Sequence, residues 1–382
     1  MTKAHIPSHF VRRRNAPLAS ESERQVLGAV FRQPGLTQAQ ITHMTGLAQQ
    51  STSRLISTLS RYGALRTGER LSHGRRGQPS AALSLEPDFA CAFGVSIMTD
   101  AVGVALIDFC GTVIDQTIVP MGAMTHDNVA QKLNSIIRRM RQQWVGDESR
   151  LFGVGVGISG YFLNDKGLVN TPMMLDDWAL VDIRAMLSED LDLPVWIEND
   201  AKAAAIGESM LGAGRWTGNF VYLYVATGLG GGVVIDGNIV RGRHGNAGEI
   251  GEMLPPQVYL HPNLEFLRML VSQHGRPVPS VSALIQDFDI TWPGVDEWIM
   301  RSRDSFSLVS SAAAAMLDCE AIVIGGRIPP ALAEKTVPHI EIYSQHRRGS
   351  PRLLPKVVPA EVRGEVTAIG AAAMTFKTFF FG

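Results

Sequence analysis

The run Glu198-Asn199-Asp200-Ala201 sets an amide between two carboxylates, after a short apolar stretch from Leu193 to Ile197 and before an alanine-rich stretch from Ala201 to Leu211. The first stretch predicts a strand and the second a helix. The polar residues then fall at the C-terminal end of a strand, where open α/β sheets bind ligands. Asn199 offers a donor and an acceptor to a hydroxyl group, and a carboxylate accepts from one or two more. Asp200 also suits a plainer task, because it precedes Ala201 and can cap the helix; the two roles coexist. A second acidic motif is His244-Gly245-Asn246-Ala247-Gly248-Glu249-Ile250-Gly251. A third is Ala226-Thr227-Gly228-Leu229-Gly230-Gly231-Gly232, inside a strand–turn–strand segment from Phe220 to Val240 whose bare backbone amides can hold an anion. Cys91, Cys110 and Cys319 are far apart and odd in number, which predicts buried free thiols in a reducing cytoplasm and excludes a disulfide framework.

The elements that must position these residues are legible around them. Residues 88–110 predict two apolar strands with a turn at Thr99-Asp100, and Val113 to Val119 a third, antiparallel start to a mixed sheet. Asp127 to Trp144 has helical periodicity, and Leu151 to Ser159 is a continuous apolar strand of the kind found in a sheet centre. Ala321 to Ile324 predicts a strand ending in Gly325-Gly326, and Glu365 to Phe381 a closing apolar helix that packs back on the first lobe.

The chain of 382 residues has a formal charge of −1, but residues 1–80 hold 12 Lys and Arg against three acids. A basic head on an acidic body points to a polyanionic partner for the head. From Ser22, a possible cap, Val26, Leu27, Val30 and Phe31 recur at helical spacing, and Pro34-Gly35 stops that helix. Thr37 caps a second helix with Ile41 and Met44 inward, and Gly46 makes the turn to a third, Gln49 to Tyr62, whose buried face is Leu55, Ile56 and Leu59. The early positions Gln50, Ser51, Thr52 and Arg54 are then exposed, where a recognition helix contacts bases and phosphates. Strands near Ala64 to Thr67 and Ala81 to Leu85 make a wing, with Arg75 and Arg76 at its tip for the minor groove. No apolar run reaches the ~18–20 residues of a membrane span, and Met1 to Ser20 has no apolar signal region.

The motifs around Asp200, Gly228 and Glu249, with Ile324-Gly325-Gly326, resemble in order and spacing those of the ROK (repressor, open reading frame, kinase) family. Gly74-Arg75-Arg76-Gly77-Gln78-Pro79-Ser80 is similar to the wing of its repressors. The resemblance implies an α/β fold: a winged helix-turn-helix on a two-lobed, actin-like and hexokinase-like (ribonuclease H-like) domain. It implies that Asn199, Asp200, Glu249, Glu252 and Glu265 bind a sugar, with Asp200 at the position of the kinase base. Three departures narrow this. The family kinases carry a glycine pair and a lysine for phosphate after the first strand; here the stretch is Ser96-Ile97-Met98-Thr99-Asp100. The cysteines that bind zinc in many members are missing from residues 253–264, and Glu252 replaces a histidine, so no metal is expected and His244 and His261 do not supply a site. The loop Met253 to Asn263 must then be held by packing, stiffened by Pro255, Pro256 and Pro262. Met174 stands where the kinases have a sugar-binding Asn, with Asp177 as a substitute.

The resulting expectation is a cytoplasmic, non-catalytic, sugar-responsive DNA-binding regulator of repressor type. It has no cofactor, and binds a palindromic operator as a homodimer or dimer of dimers. The alternative is a ROK-type sugar kinase with a regulatory head. The expected division is a basic arm at 1–20, the winged helix-turn-helix at 21–86, and the sugar-binding domain at 87–382. Within the last, lobe one is about 87–200 with 365–382, and lobe two about 201–364.

Overall fold

The fold is seen in a computed structural model, which describes residues 19–71, 80–144, 148–163, 167–345 and 352–381. In the head, helix α1 (Glu21–Arg32) is capped by Ser20, not Ser22: the Ser20 side chain accepts from the Glu23 amide and Glu23 returns a carboxylate to the Ser20 amide. Ser22 lies inside the first turn and cannot take that position. Helix α2 (Gln38–Thr45) has the same reciprocal cap between Thr37 and Gln40, and ends at Gly46 with φ of 67°. Met44 does not face inward; it is 47% exposed, and Ile41 alone anchors this short helix. Helix α3 (Gln49–Arg61) follows, then strands β1 (Leu65–Leu71) and β2 (Ser80–Leu85), paired antiparallel, with Leu36 bridged to Leu83 as a third rung. That is the winged helix-turn-helix. The wing tip with Arg75 and Arg76, and residues 1–18, lie outside the described residues.

The body begins with β3 (Cys91–Ile97), β4 (Ala101–Asp108), β5 (Val113–Pro120), helix α4 (His126–Trp144) and β6 (Leu151–Ile158). The small hairpin β7 (Tyr161–Phe162) and β8 (Val169–Asn170), helix α5 (Ile183–Leu191), β9 (Val195–Asn199) and helix α6 (Asp200–Leu211) come next. The first sheet runs β5-β4-β3-β6-β9, with β3, β6 and β9 parallel. A second five-stranded sheet is built from β10 (Phe220–Val225), β11 (Leu229–Ile235), β12 (Asn238–Ile239), β13 (Ala321–Gly326) and β14 (Lys356–Pro359), in the order β12-β11-β10-β13-β14. Helices α7 (Leu264–Gln273), α8 (Val281–Gln286), α9 (Val295–Leu317) and α10 (Pro330–Thr336) belong to it, and α11 (Val366–Phe379) closes the chain.

Alternation along the strands sorts the layers. Phe93 and Val95 of β3 point to α4 and α5, while Ala92 and Gly94 point to α11. The approach of α11 explains two glycines: a Cβ on Gly94 would lie 1.7 Å from the Ala368 carbonyl, and one on Gly155 1.9 Å from that of Ala371. In β10, Val221 and Leu223 face α7 and α9, whereas Tyr222 and Tyr224 face α6. Helices α6 and α11 therefore lie between the sheets, crossing where Gly207 meets Gly370.

Candidate functional site

Strand β9 runs through Asn199, so Asn199 and not Asp200 caps α6. Its Oδ1 accepts from the Lys202 amide at 3.1 Å and its Nδ2 donates to the Gly160 carbonyl at 2.9 Å. Asn199 is buried, and these two bonds leave it one donor and one lone pair for a ligand. Glu198 is fully buried and paired with Arg241. Asp200 opens onto the cleft. Its Oδ2 accepts from the Ser159 hydroxyl at 2.5 Å. Burial pushes its carboxyl above the usual range, against the pull of Ser159 and the Ala201 amide.

The loop carrying Glu249 is brought to Asp200 by Asn246, whose side-chain amide bonds both the N–H and the carbonyl of Phe162. Burial also raises the Glu249 carboxyl; Lys202 opposes the rise, and the neighbouring charges of Asp200 and Glu252 add to it. Lys202 is a residue that sequence reasoning missed. It is fully buried, and its Nζ donates to the Gly245 carbonyl at 2.6 Å and lies 3.7 Å from Glu249. The available signal was a lone lysine inside Ala-Lys-Ala-Ala-Ala. A buried ammonium needs such partners, and in exchange it lets two carboxylates share one pocket. Asp200 and Glu249, held together by the Lys202 ammonium and edged by Ser159 and the exposed Glu252, thus form a pair of acceptors suited to a polyhydroxyl ligand.

The other nominated residues are placed differently. Glu265 sits in the first turn of α7, and its carboxylate grips Arg268 at 2.9 and 3.0 Å. The start of α7 is tied to the glycine turn, Leu264 N–H to the Ala226 carbonyl, but Glu265 makes no described bond to Asp200 or Glu249. Met174 is 56% exposed, and Asp177 accepts from the His126 amide at the start of α4. The loop 253–263 is pinned by packing and backbone bonds: His261 Nε2 to the Leu254 carbonyl, Trp298 to the Asn263 carbonyl, and Ser305 to the Leu260 carbonyl. Cys91 and Cys319 are buried, but Cys110 is half-buried.

In the glycine segment, Gly231 and Gly232 lie within β11, where a Cβ would meet Ile250 and Ala205 at 2.6 and 2.5 Å, whereas Gly228 at the turn has open space around it. Thr227 at the turn meets Thr99, hydroxyl to hydroxyl at 3.1 Å. Beside them, Asp100 accepts from Arg327 at 2.7 Å and from the amide and hydroxyl of Ser282 at 2.8 and 2.7 Å. Burial pushes the Asp100 carboxyl up, but Arg327 and Ser282 outweigh it and hold it below the usual carboxylate range. In the turn after β3, this chain thus has a carboxylate bonded to its own arginine.

In the head, Gln50 and Arg54 of α3 are exposed and Ser51 is half-exposed. Thr52 is not exposed: it is fully buried, with its hydroxyl on the Ala48 carbonyl at 3.2 Å, so it cannot touch DNA. Ser53 takes its place on the open face. Helix α3 packs on α1, α2 and β1, and α1 makes the junction with the body. Phe31 meets Phe381 at 4.6 Å between ring centroids, Arg24 donates to the Phe381 carbonyl at 3.2 Å, and the Ala19 amide donates to the Phe379 carbonyl. No helix of the described residues is long and apolar enough to cross a membrane, and no group of three metal-ligating side chains occurs among them.

Residues 92–263 match the ROK family. A Sinorhizobium fredii protein, y4fQ, is 28% identical over 96% of this chain and 93% of its own length. The xylose repressor of Bacillus subtilis is 27% identical over 61% of this chain, an alignment that spans 60% of the repressor. A solved ROK family transcriptional regulator, described as a homologue of the Escherichia coli Mlc protein, superposes with a TM-score of 0.67 over 93% of this chain and 94% of its own, at 21% identity. A ROK family glucokinase from Streptomyces griseus, solved with glucose and AMPPNP, superposes with a TM-score of 0.61 over 75% of this chain and 99% of its own, at 21% identity. The overlap with the regulator is long enough to take in part of the head, and the stretch of this chain that matches the ROK family is residues 92–263.

Proposed function

We propose that this chain is a sugar-responsive DNA-binding repressor whose body captures a monosaccharide or derivative without phosphorylating it. The observation that carries the reading is mechanical. Helix α6 begins at Asp200, in the ligand set, and its Ile206 and Met210 lie in the same buried cluster as Val26, Leu27 and Val30 of α1. Helix α11 crosses α6 and ends in Phe376, Phe379, Phe380 and Phe381, which join that cluster too. Two rods therefore run from the cleft to the seat of the head. A sugar that binds one arrangement of the sheets better than another shifts that seat, and with it the paired recognition helices of a dimer on a palindromic operator. Gln50, Ser51, Ser53 and Arg54 would face the bases and phosphates. Relatives that carry the name xylose repressor support this reading. The proposed division of labour follows the head at about 21–86 and the sugar-binding domain beyond it.

The absence of phosphoryl transfer rests on Asp100. A carboxylate repels a triphosphate, and Arg327 is already committed to it. The test is fluorescence anisotropy with the DNA upstream of the chain's own and neighbouring genes, over a salt series and a panel including xylose and glucose. Binding is expected to weaken steeply with salt and to be relieved by one sugar. Arg54→Ala is expected to weaken binding uniformly and lower the salt slope by about one. Binding indifferent to salt and sugar overturns the proposal. ATP-dependent sugar phosphorylation that is lost in Asp200→Asn would establish the kinase reading instead.

A further inference from the structure

The run from Ser159 to Phe162 is tied to both halves of the hydroxyl-binding pair. The Ser159 hydroxyl donates to Asp200, and the Gly160 carbonyl accepts from the Asn199 side chain. Both backbone groups of Phe162 bond the Asn246 side chain of the Glu249 loop. Tyr161 stands between Gly160 and Phe162, so it is anchored from both sides beside Asp200 and Glu249. Phe162 turns its ring to Gly245, and its partner on β8, Val169, is buried; alternation puts Tyr161 on the opposite, open face. Tyr161 is 45% exposed, and its hydroxyl accepts from the Asn170 side-chain amide at 2.6 Å. Strand β8 leads at once into more exposed apolar side chains. In the 3-10 turn Met173–Trp178, Leu175 and Trp178 are buried while Met173 and Met174 are left outside, Met173 at 90% exposure. The chain returns at Leu180, whose amide donates to the Val169 carbonyl and whose side chain is exposed. Leu180 has a φ of 61°, a left-handed conformation that a bulky residue adopts at a cost, and such strain clusters at functional positions. Asp176 and Asp177 of the same turn are also exposed, Asp177 with its carboxylate on the His126 amide.

We propose that this apolar lip takes the non-sugar part of the ligand: the effector is a glycoside, with its sugar ring on Asp200 and Glu249 and an apolar aglycone on Tyr161, Met173, Met174 and Leu180. The inference rests on the sugar-pocket reading and narrows it. Exposed apolar side chains grouped in this way mark a surface with a partner. The continuity of this group with the hydroxyl acceptors, through the bonds on either side of Tyr161, identifies that partner as the rest of the same ligand. The lip offers an aromatic ring and adaptable thioethers, while the Tyr161 hydroxyl and the Asn170 amide already bond each other. A hydrocarbon or aromatic body is stabilised there by burial of its surface, with aromatic and sulfur–aromatic contacts added. A second sugar ring has less apolar surface to bury and gains less.

The test is calorimetry on the full chain with xylose, glucose and the phenyl α- and β-glycosides of each. At least one phenyl glycoside is expected to bind about tenfold more tightly than its parent sugar. Tyr161→Ala should bring that ratio close to unity, and the double variant Met173→Ser with Met174→Ser should lower it about threefold. Both methionines are exposed, so the double variant decides if Tyr161→Ala fails to fold. In the full chain labelled at methionine methyl groups, the ring current of the phenyl glycoside should shift Met173 and Met174 saturably, while Met300 and Met316 of α9 stay in place. A parent sugar that binds as tightly as its phenyl glycosides overturns this inference and leaves the sugar pocket standing. So do phenyl glycosides that bind without moving Met173 and Met174, or signals of these methionines that follow protein concentration instead, the mark of an interface between copies. Failure of every sugar and glycoside to bind overturns both readings.

Discussion

The two ends of the cleft are built from the same kinds of residue and treat charge in opposite ways. At the Asp200 end, Asp200 and Glu249 crowd around one buried ammonium, and both carboxyls are pushed above their usual range. It is this end that the proposed function assigns to a sugar. At the other end, Asp100 is saturated by Arg327 and Ser282, and its carboxyl is held below the usual range. That end is complete without a ligand. The comparison teaches that a carboxylate's availability depends on its partners: Asp100 is occupied by Arg327 and Ser282, and the proposed absence of phosphoryl transfer rests on that occupation.

The comparison can be broken most directly at Glu249. Glu249→Ala is expected to abolish sugar-dependent stabilisation and operator release and to leave sugar-free DNA affinity unchanged, read by thermal shift and anisotropy. A normal sugar response would mean that the pocket lies elsewhere. Next in size is Arg327→Ala, which strands Asp100 and should cost ~3 kcal/mol in urea unfolding. The double variant with Asp100→Ala should cost less than the sum of the single changes. An additive result would mean that the clamp is not a coupled unit.

The third test uses acid. Asp100 binds its proton less readily folded than unfolded, so its contribution is present above its unfolded pKa and is lost as pH falls through the folded value, below the ordinary carboxylate range. Asp200 and Glu249 bind protons more readily when folded, so their ionisation erodes stability as pH rises just above that range. Asp100→Ala should therefore flatten the acid limb of the stability curve, and Asp200→Asn the opposite slope above it. Curves that move in the same direction would contradict the contrast. The smallest effect is expected from Ser159→Ala, which removes the hydroxyl from Asp200 and should change sugar affinity by ~1 kcal/mol or less in calorimetry.

Much of the head was legible residue by residue, because caps and turns are local. Thr37 with Gln40 and the positive φ of Gly46 follow from side-chain length and the missing Cβ. Thr52 was misread although the signal was present: positions 52, 55, 56 and 59 share one helical face, and Leu55, Ile56 and Leu59 were already assigned inward. Ser20 and Ser22 could not be told apart, since both precede the apolar stripe and only the backbone angles choose between them. Likewise the cap of α6 turned on whether β9 stops before or after Asn199. In the body, the antiparallel pairs β3–β4, β4–β5 and β10–β11 followed from short turns, whereas the parallel pairings did not, and Gly231 and Gly232 proved to be clearance for Ile250 and Ala205.

By itself the sequence determined the helices of the head, the main strands of the first sheet, the hairpin at 220–235 and the closing helix. Those properties live in residue type and spacing of a few positions. Only the tertiary structure decided the charge states and the partition of the cleft. Asp100 and Arg327 are 227 positions apart, yet they meet at 2.7 Å. Electrostatic partnership depends on distance through space and on exclusion of water, and neither is written in the order of residues.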